Sequence, residues 1–232
     1  MSTTTSTSNT ETQIKPELNS ILNQVQNLQT DREKLKLMPA ALEAPAAPAT
    51  SGKSVDDIMG QLSTAKTDAV INITTGGSML MSVDQRLDGP SRAAPEMCSL
   101  NMGSMNFAIH PLADRYKSWK HPWEEPYLRG TKDFIFRNTF GDIERIYKLL
   151  GEGHGTKFEH ECYDVGHLYN LAYCLDAGLF KPPVFLQLIF GILGGIGPDL
   201  ENLMFMKRTA DKLFGKEYRW CVGSARRRWP VD

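Results

Sequence analysis

The stretch INITTGGS, residues 71–78, joins a short β-branched run to two threonines, two glycines and a serine. A strand fixes the position of the loop that follows it. Threonine and serine supply short hydrogen-bonding side chains, and paired glycines let backbone N–H groups come close to an anion or a carbonyl oxygen. Thr74, Thr75, Gly76 and Gly77 therefore predict a cradle for an oxyanion or a carboxylate, while a plain turn is the alternative interpretation.

Helix-length amphipathic segments alternate with short apolar runs from about residue 67 onward. Several of these runs are apolar almost throughout, as expected of strands that are buried on both faces. Alternation of strand and helix is typical of a parallel sheet with right-handed crossovers. The sequence thus predicts an α/β fold with about five parallel strands, over residues 69–74, 97–100, 158–163, 184–190 and 219–222, and helices over residues 140–150, 166–177 and 199–214.

Polar or glycine-rich residues follow the first four predicted strands. The first strand runs into TTGGS, the second into NMGSMNF (101–107), the third carries FEHECYDVGHLYN (158–170), and the fourth opens into GILGGIG (191–197). In barrels and open α/β sheets, ligands bind at the carboxyl ends of the strands. We therefore expect the functional site at this edge, although GILGGIG does not fit the G-x-G-x-x-G dinucleotide fingerprint.

The third predicted strand carries two carboxylates on one face. Alternation along the strand divides its residues into Glu159, Glu161 and Tyr163 on one face and Phe158, His160 and Cys162 on the other. Carboxylates are costly in a dry interior, so this face is expected to line a polar cavity, with a solvated edge strand as the alternative. Asp164 and His167 follow at the end of the strand, and His160 is expected to pack against a helix.

The formal charge is −1, from 26 Lys and Arg against 27 Asp and Glu, which argues against a protein built mainly to bind nucleic acid. The arginine run at 226–228 is interpreted as a solvated tail. The longest apolar run, 184–197, is shorter than the ~20 residues of a membrane span. The cysteines form no C-x-x-C pair and indicate reduced, mostly buried thiols. We therefore expect a soluble cytoplasmic protein that binds neither nucleic acid nor membrane.

The first 53 residues are predicted to be an extension, ahead of a barrel-like domain over residues 54–232. Residues 1–13 are rich in Ser and Thr and are expected to be disordered. An amphipathic helix with an a/d heptad pattern is predicted over residues 14–37, with a frayed segment as the alternative. The Pro- and Ala-rich segment 39–54 is predicted to be a semi-rigid linker, and a short helix is predicted over residues 55–65.

Four motifs in order carry a resemblance to a known family. DAVINITTGGS (68–78), PEMCSLNMGSMNF (95–107), ECYDVGHLYNLA (161–172) and FGILGGIG (190–197) together resemble the beta-keto acid cleavage enzymes, of which the 3-keto-5-aminohexanoate cleavage enzyme is the type. The resemblance runs from about Thr67 to about Trp220. It implies a TIM-barrel fold, here a partial (β/α)8-type barrel, and a zinc ion. The implied reaction joins a β-keto acid to acetyl-CoA and gives acetoacetate and a new CoA thioester.

The resemblance also implies roles for particular residues. Thr74 and Gly77, with Thr75 and Gly76 between them, would bind the carboxylate or keto oxygen of the substrate. The substrate pocket would be lined by Asn101, Ser104 and Asn106. The catalytic groups would be Glu161, near the metal, and Asp164 on the same rim, with zinc acting as a Lewis acid on the keto oxygen.

The sequence departs from the family at the metal site. The family holds zinc with a His-x-His pair and a Glu near the last strand, and this chain has no His-x-His. It also lacks the Gly-Leu-Glu-Asp segment of the family and the catalytic arginine and aspartate of that region. Fewer than the ~200 residues of a barrel remain after Thr67, so we expect a chain truncated at both ends. No metal ligand set is assigned.

These departures leave two function classes open. One is a zinc-dependent acyltransferase that uses a β-keto acid and acetyl-CoA, and the other is a catalytically inactive fragment that acts as an interaction or small-molecule-binding protein. Because a catalytic zinc needs about three protein ligands, the purified chain is expected to bind zinc poorly and to turn over no β-keto acid. Exposed sheet edges also predict homo-oligomers or aggregation.

Overall fold

The computed structural model of the protein describes Gly60, residues 68–78 and residues 81–225. The disorder predicted for residues 1–13, the helix over 14–37, the linker over 39–54, the domain boundary at 53/54 and the arginine run at 226–228 lie outside these residues. Of the helix predicted over 55–65, only Gly60 is described, and it is helical.

Five parallel strands form one sheet, as predicted. They pair in the order β1-β2-β5-β6-β7, while β3 and β4 form a separate antiparallel pair. The strands are β1 (Asn72–Thr74), β2 (Met97–Asn101), β3 (Met105–Asn106), β4 (Ile135–Phe136), β5 (Lys157–Cys162), β6 (Val184–Phe190) and β7 (Tyr218–Ser224). The parallel register of β1 and β2 aligns Asn72 with Met97 and Thr74 with Ser99. Parallel strands paired in chain order are consistent with part of a (β/α)8-type barrel.

Five α-helices lie in the described part of the chain: α1 (Val83–Ala93), α2 (Glu124–Gly130), α3 (Phe140–Ile146), α4 (Val165–Asp176) and α5 (Leu200–Phe214). Two 3-10 segments, His110–Arg115 and Thr131–Asp133, flank α2, and α3 continues as a π-helical segment, Tyr147–Glu152. The predicted helices at 140–150, 166–177 and 199–214 are therefore present, whereas α1, α2 and the β3–β4 pair were not predicted.

Side-chain caps explain where the helices begin. Asp164 accepts a hydrogen bond from the Gly166 N–H and starts α4, and Asp199 accepts one from the Asn202 N–H and starts α5. Each satisfies an N–H group that the first turn of a helix leaves without a partner. Ser82 forms a capping box with Gln85 at the start of α1.

The two faces of the sheet differ in character. The helix-covered face packs against α1, α3, α4 and α5 in one apolar core, and its strand residues include Cys98, Leu100, Phe158, His160, Cys162, Leu186 and Leu188. The opposite face, here called the cavity face, carries Asn72, Thr74, Ser99, Asn101, Glu159, Glu161 and Gln187. Hydrogen bonds across the strands join Asn72 and Gln187 to Glu159, and Ser99 to Thr74. The alternation predicted for β5 is therefore confirmed.

The GILGGIG loop after β6 packs against the other loops at this end of the sheet. The Leu193 carbonyl accepts a hydrogen bond from the Ala108 N–H at 3.0 Å, and the Ile196 N–H donates to the Tyr163 carbonyl at 2.8 Å. Gly194 has φ +107, and a Cβ there would lie 1.8 Å from the Asn106 carbonyl oxygen. Glycine is therefore required because two backbones meet at this point.

Candidate active site

The TTGGS segment is fixed to its neighbouring strand by its threonines. Both the N–H and the Oγ1 of Thr75 donate to the Ser99 carbonyl, at 3.1 Å and 2.8 Å. The Oγ1 of Thr74 accepts from the Gly76 N–H at 3.0 Å and from Ser99 Oγ at 3.1 Å. This places Thr74, Gly76 and Gly77 on the cavity face at the end of β1.

The end of β2 presents a buried amide. Asn101 is 5% exposed, and its Oδ1 has no hydrogen-bond partner within the described residues. The Asn101 carbonyl accepts from Asn138 Nδ2 at 2.6 Å, and the Asn138 N–H donates to Ser104 Oγ at 2.8 Å. A buried amide oxygen without a partner is costly, so this atom is a candidate ligand contact.

A carboxylate and a phenol lie side by side at the end of β5. Tyr163 Oη donates to Glu161 Oε2 at 2.9 Å. Burial raises the pKa of Glu161, and the charge of Glu159 adds to this, while hydrogen bonds from Tyr163 and Ser99 oppose it. Burial likewise raises the pKa of Tyr163. Glu161 is therefore protonated more easily than an ordinary carboxylate, as is useful in proton transfer.

Glu159, one pleat earlier on β5, is held within the sheet. Its carboxylate accepts from Asn72 Nδ2 at 2.9 Å and from Gln187 Nε2 at 3.0 Å, and burial raises its pKa. Cys221 Sγ lies 3.7 Å from Glu159 Oε1, and burial raises the pKa of this thiol to about 12. A thiol with such a pKa is mostly protonated at neutral pH, so Cys221 is not an activated nucleophile.

A cavity of about 300 Å³ opens over the cavity face. Its floor is polar and comes from the ends of β1, β2 and β5, and its wall is mostly aromatic and comes from the segment between β2 and α3. The lining residues are Thr74, Gly76, Gly77, Ser99, Asn101, Phe107, Ile109, Tyr127, Thr131, Phe134, Phe136, Glu161 and Tyr163.

The cavity brings together Thr74, Gly76, Gly77, Asn101 and Glu161 of the predicted site residues. The other four do not line it. Thr75 is buried against β2, and the exposed Ser104 binds Asn138 through its hydroxyl. Asn106 pairs with Ile135 in the β3–β4 ladder, and Asp164 caps α4. Their predicted roles in substrate binding and catalysis stay predictions.

Sequence reasoning did not identify the aromatic wall. Ser99 could have been predicted as a site residue, because it lies two residues before Asn101 and therefore on the same face of β2. The wall residues, in contrast, lie in loops and short helices without a period that marks one face, so no sequence signal singled them out: Phe107, Ile109, Tyr127, Thr131, Phe134 and Phe136.

The histidines near the cavity are engaged in the fold. His160 is 3% exposed, its Nδ1 bonds to the Phe185 carbonyl at 2.9 Å, and its ring packs among Tyr147 and Phe180. His167 Nδ1 accepts from the Tyr163 N–H at 3.2 Å. No three His, Cys, Asp or Glu side chains are grouped to hold a metal ion in the part of the chain that the structure describes. These residues therefore do not fit the zinc site that the resemblance implies.

Sequence comparison places this geometry in a family. The family model described as beta-keto acid cleavage enzyme matches residues 42–231, a longer stretch than the motifs alone cover. The chain belongs to the beta-keto acid cleavage enzyme family. The strand-end motifs that build the cavity floor are thus the motifs that carried the resemblance.

Of three similar proteins, two are named as acetyl-CoA-dependent transferases and one as a cleavage enzyme. The 3,5-dioxohexanoate:acetyl-CoA acetone transferase of Paraburkholderia graminis is 52% identical over 168 residues, which is 72% of this chain and 54% of that protein. The 3-dehydrocarnitine:acetyl-CoA trimethylamine transferase of Rhizobium meliloti is 24% identical over 179 residues, 69% of this chain and 52% of that protein. The 3-keto-5-aminohexanoate cleavage enzyme of Acetoanaerobium sticklandii is 27% identical over 139 residues, 60% and 42% respectively. The chain thus spans about half the length of the relatives it matches.

Proposed function

We propose that this chain binds a short β-keto acid in the cavity, as the substrate-binding part of an enzyme that transfers acyl groups between β-keto acids and acetyl-CoA. The observation that carries the proposal is the cavity itself, with its strand-end hydroxyl, glycine, amide and carboxyl groups under an aromatic wall. Family membership and the name of the 52%-identical relative support the substrate class.

The size and polarity of the cavity suit such a ligand. About 300 Å³ is at the lower end of the range of small-molecule pockets, which are mostly apolar with a few placed polar groups. A β-keto acid has a short carbon chain with oxygens at one end. In the proposal, the aromatic wall contacts the chain and the polar floor binds the oxygens.

Each floor residue has a chemical task in the proposal. The Thr74 hydroxyl and the backbone at Gly77 bind the carboxylate or the keto oxygen. Asn101, whose Oδ1 has no partner within the described residues, hydrogen-bonds the substrate oxygens or an enol hydroxyl. Glu161 takes up a proton from the α-carbon, between the two carbonyl groups, and returns it to the substrate, while Tyr163 fixes the position of Glu161 Oε2.

Acetyl-CoA is the proposed co-substrate, as in the names of the first two relatives. The zinc that the resemblance implies would polarise the keto oxygen, but its ligands would have to come from outside the described residues.

A second candidate, binding without turnover, rests on a separate observation. The sequence has no His-x-His pair, and the described residues hold no group of three metal-ligating side chains. In this case the cavity would hold the β-keto acid while the chain alone catalyses nothing.

Titration calorimetry with 3,5-dioxohexanoate tests the binding, and acetoacetate production from acetyl-CoA, with and without added zinc, tests turnover. We expect saturable binding by the wild type that weakens about tenfold in Glu161→Gln, which loses the charge-assisted hydrogen bond that the Glu161 carboxylate accepts from the enol hydroxyl of the substrate. Glu159→Gln, on the same face but outside the cavity lining, is the matched control and should bind normally. Binding with turnover supports the transferase, and binding without turnover supports the second candidate. Failure of the wild type to bind contradicts both.

Location and assembly are also proposals. None of the described helices has the length and apolarity to cross a membrane, and the four cysteines are free, three of them buried. We propose a cytoplasmic protein that self-associates, because β1 and β7 are the outer strands of the described sheet. Size-exclusion chromatography with light scattering measures the assembly, and a monomer across the concentration range would contradict it.

A further inference from the structure

Arg86 of α1 is a buried cation beside the cavity. It is 6% exposed, and its Nη2 donates to Asn138 Oδ1 at 3.0 Å and to the Arg137 carbonyl at 3.3 Å. Both acceptors are neutral. Asp142 acts on Arg86 through its charge, but the Asp142 oxygens bind Arg137 and Thr139. Burying a guanidinium without a bonded carboxylate is costly, so a structural role alone accounts poorly for it.

The Arg86 side chain lies against two residues that line the cavity, one in the wall and one in the floor. Its guanidinium carbon lies 5.1 Å from the centre of the Phe136 ring, which lines the cavity. A Cβ on Gly77, another lining residue, would lie 2.8 Å from Arg86 Cγ. Its partner Asn138 donates to the carbonyl of Asn101, on the cavity floor. Arg86 thus contacts Gly77 and Phe136 directly, and it is linked to Asn101 through Asn138.

Arg86 supplies a positive charge that the residues lining the cavity lack. Among the lining residues, Glu161 is the only carboxylate and there is no Lys, Arg or His. A carboxylate ligand would be repelled near Glu161 when that group is ionised. A positive charge in a poorly solvated region acts over several ångströms. Arg86 adjoins Gly77, which follows β1, and β1 is separated by β2 from β5, which carries Glu161.

We propose that Arg86 is a positioning residue that directs the carboxylate of the substrate to the Thr74–Gly77 end of the cavity and away from Glu161. It does so through its buried charge, which its contacts with Gly77, Phe136 and Asn138 hold in place beside the cavity. The inference rests on the proposed function, since it assumes an anionic keto acid in this cavity. It goes further by assigning an orientation and a residue that does not touch the ligand.

Two ligands of the same shape separate charge from structure. Acetoacetate carries a carboxylate, and acetylacetone has a neutral acetyl group in its place. Calorimetry or ligand-observed NMR gives the affinity of each for the wild type, Arg86→Lys, Arg86→Gln and Arg86→Met. Arg92→Met, on the exposed side of the same helix, is the matched control. Thermal unfolding shows which variants are folded.

We expect Arg86→Met and Arg86→Gln to bind acetoacetate about tenfold or more weakly, as expected for one charge several ångströms away. Their affinity for acetylacetone should change less than about twofold, and Arg86→Lys, which keeps the charge, should retain most of the acetoacetate affinity. Arg86→Gln keeps an N–H donor for Asn138, so its affinities for the two ligands test the inference if Arg86→Met does not fold.

Equal losses for both ligands would show a purely structural role and overturn the inference. An unchanged acetoacetate affinity, or no acetoacetate binding by the wild type, would overturn it as well. The comparison needs no acetyl-CoA, so a wild-type chain without turnover contradicts the transferase proposal and leaves this inference standing. If the wild type turns over substrate but the Arg86 variants lose equal affinity for both ligands, the transferase proposal is supported and this inference is contradicted.

Discussion

The helix-covered face and the cavity face of the sheet are built by the same strands and have opposite properties. On β5, Phe158, His160 and Cys162 are buried against helices, whereas Glu159 and Glu161 belong to a network of hydrogen bonds. The first face stabilises the fold by removing apolar surface from water. The second carries Glu159 and Glu161, whose pKa values burial raises, and Glu161 lines the cavity.

The difference shows where stability and function are separated in this protein. Groups that are poorly solvated and only partly compensated lower the stability of a fold, and they are typical of sites that act on ligands. A substitution on the helix-covered face should therefore change the free energy of unfolding and leave binding intact. A substitution in the cavity lining should weaken binding without lowering the free energy of unfolding.

The largest effect is expected on the helix-covered face of β6. Leu186 is fully buried, so Leu186→Ala leaves a cavity in the core and should lower the free energy of unfolding by about 3 kcal/mol. Ile189 lies on the opposite face of the same strand and is only partly buried. Ile189→Ala is the matched control and should lower the free energy of unfolding by clearly less. Urea denaturation measures both, and equal losses would remove the distinction between the faces.

A pH change should act on the helix-covered face through His160. Burial lowers the pKa of His160 to about 4, so the unfolded chain binds the proton more tightly than the folded chain. Stability is thus complete above the usual pKa near 6.5 and is lost as pH falls toward about 4. Between pH 7.5 and 5 we expect a loss of about 2 kcal/mol from this residue.

Denaturation of His160→Phe at both pH values checks this expectation. In this variant, the difference in the free energy of unfolding between pH 7.5 and 5 should be smaller by about 2 kcal/mol. Part of the difference should remain, because burial also lowers the pKa of His167. Exposed His154→Ala is the control and should retain the wild-type difference. A His160→Phe protein with the full wild-type pH dependence would show that His160 does not titrate in this way.

On the cavity face, Glu161→Gln should separate stability from binding. Burial raises the pKa of Glu161, so its ionised form destabilises the fold at neutral pH, and the neutral amide should raise the free energy of unfolding by about 1 kcal/mol. The gain should fade as pH falls and the wild-type carboxyl becomes protonated. The same variant should bind a β-keto acid about tenfold more weakly. A loss of both stability and binding would mean that Glu161 serves mainly as a structural group.

The smallest effect is expected at Thr75, which belongs to the TTGGS segment but faces β2. Thr75→Val removes the bond from Oγ1 to the Ser99 carbonyl and leaves the backbone N–H bond to the same oxygen. We expect a loss of about 1 kcal/mol in unfolding free energy and an unchanged affinity for β-keto acids. Weaker binding at unchanged stability would instead support the predicted role of Thr75 in the substrate site.

The parts of the fold that follow a simple period were predictable from the sequence. The strand predicted at 184–190 has the observed bounds of β6, because its apolar run is long and bounded by Pro and Gly. The prediction for β1 began three residues early, since only Asn72–Thr74 pair with β2. The helix α1 was not predicted because its polar residues and Pro90 hide its apolar side.

The candidate site was predictable only where strands end. Thr74, Asn101 and Glu161 were found because each occupies a cavity-face position at the end of a parallel strand. Arg86 was not, because a charged residue on an amphipathic helix is normally expected to face solvent. Its burial depends on Asn138 and Phe136, 50 or more residues later in the chain, and such a partnership has no local sequence signal.

The alternation of β5 also determines which neighbours the strand accepts. In the native pairing, Leu100 aligns with His160 and Asn101 with Glu161. Sliding β5 by one residue would turn Glu159 and Glu161 into the apolar core and leave Phe158 and Cys162 facing the cavity. Burying two carboxylates without partners is so unfavourable that this misaligned sheet is excluded. Glu159 and Glu161, which add no apolar surface to the core, therefore help to fix the register of β5 against its neighbouring strands.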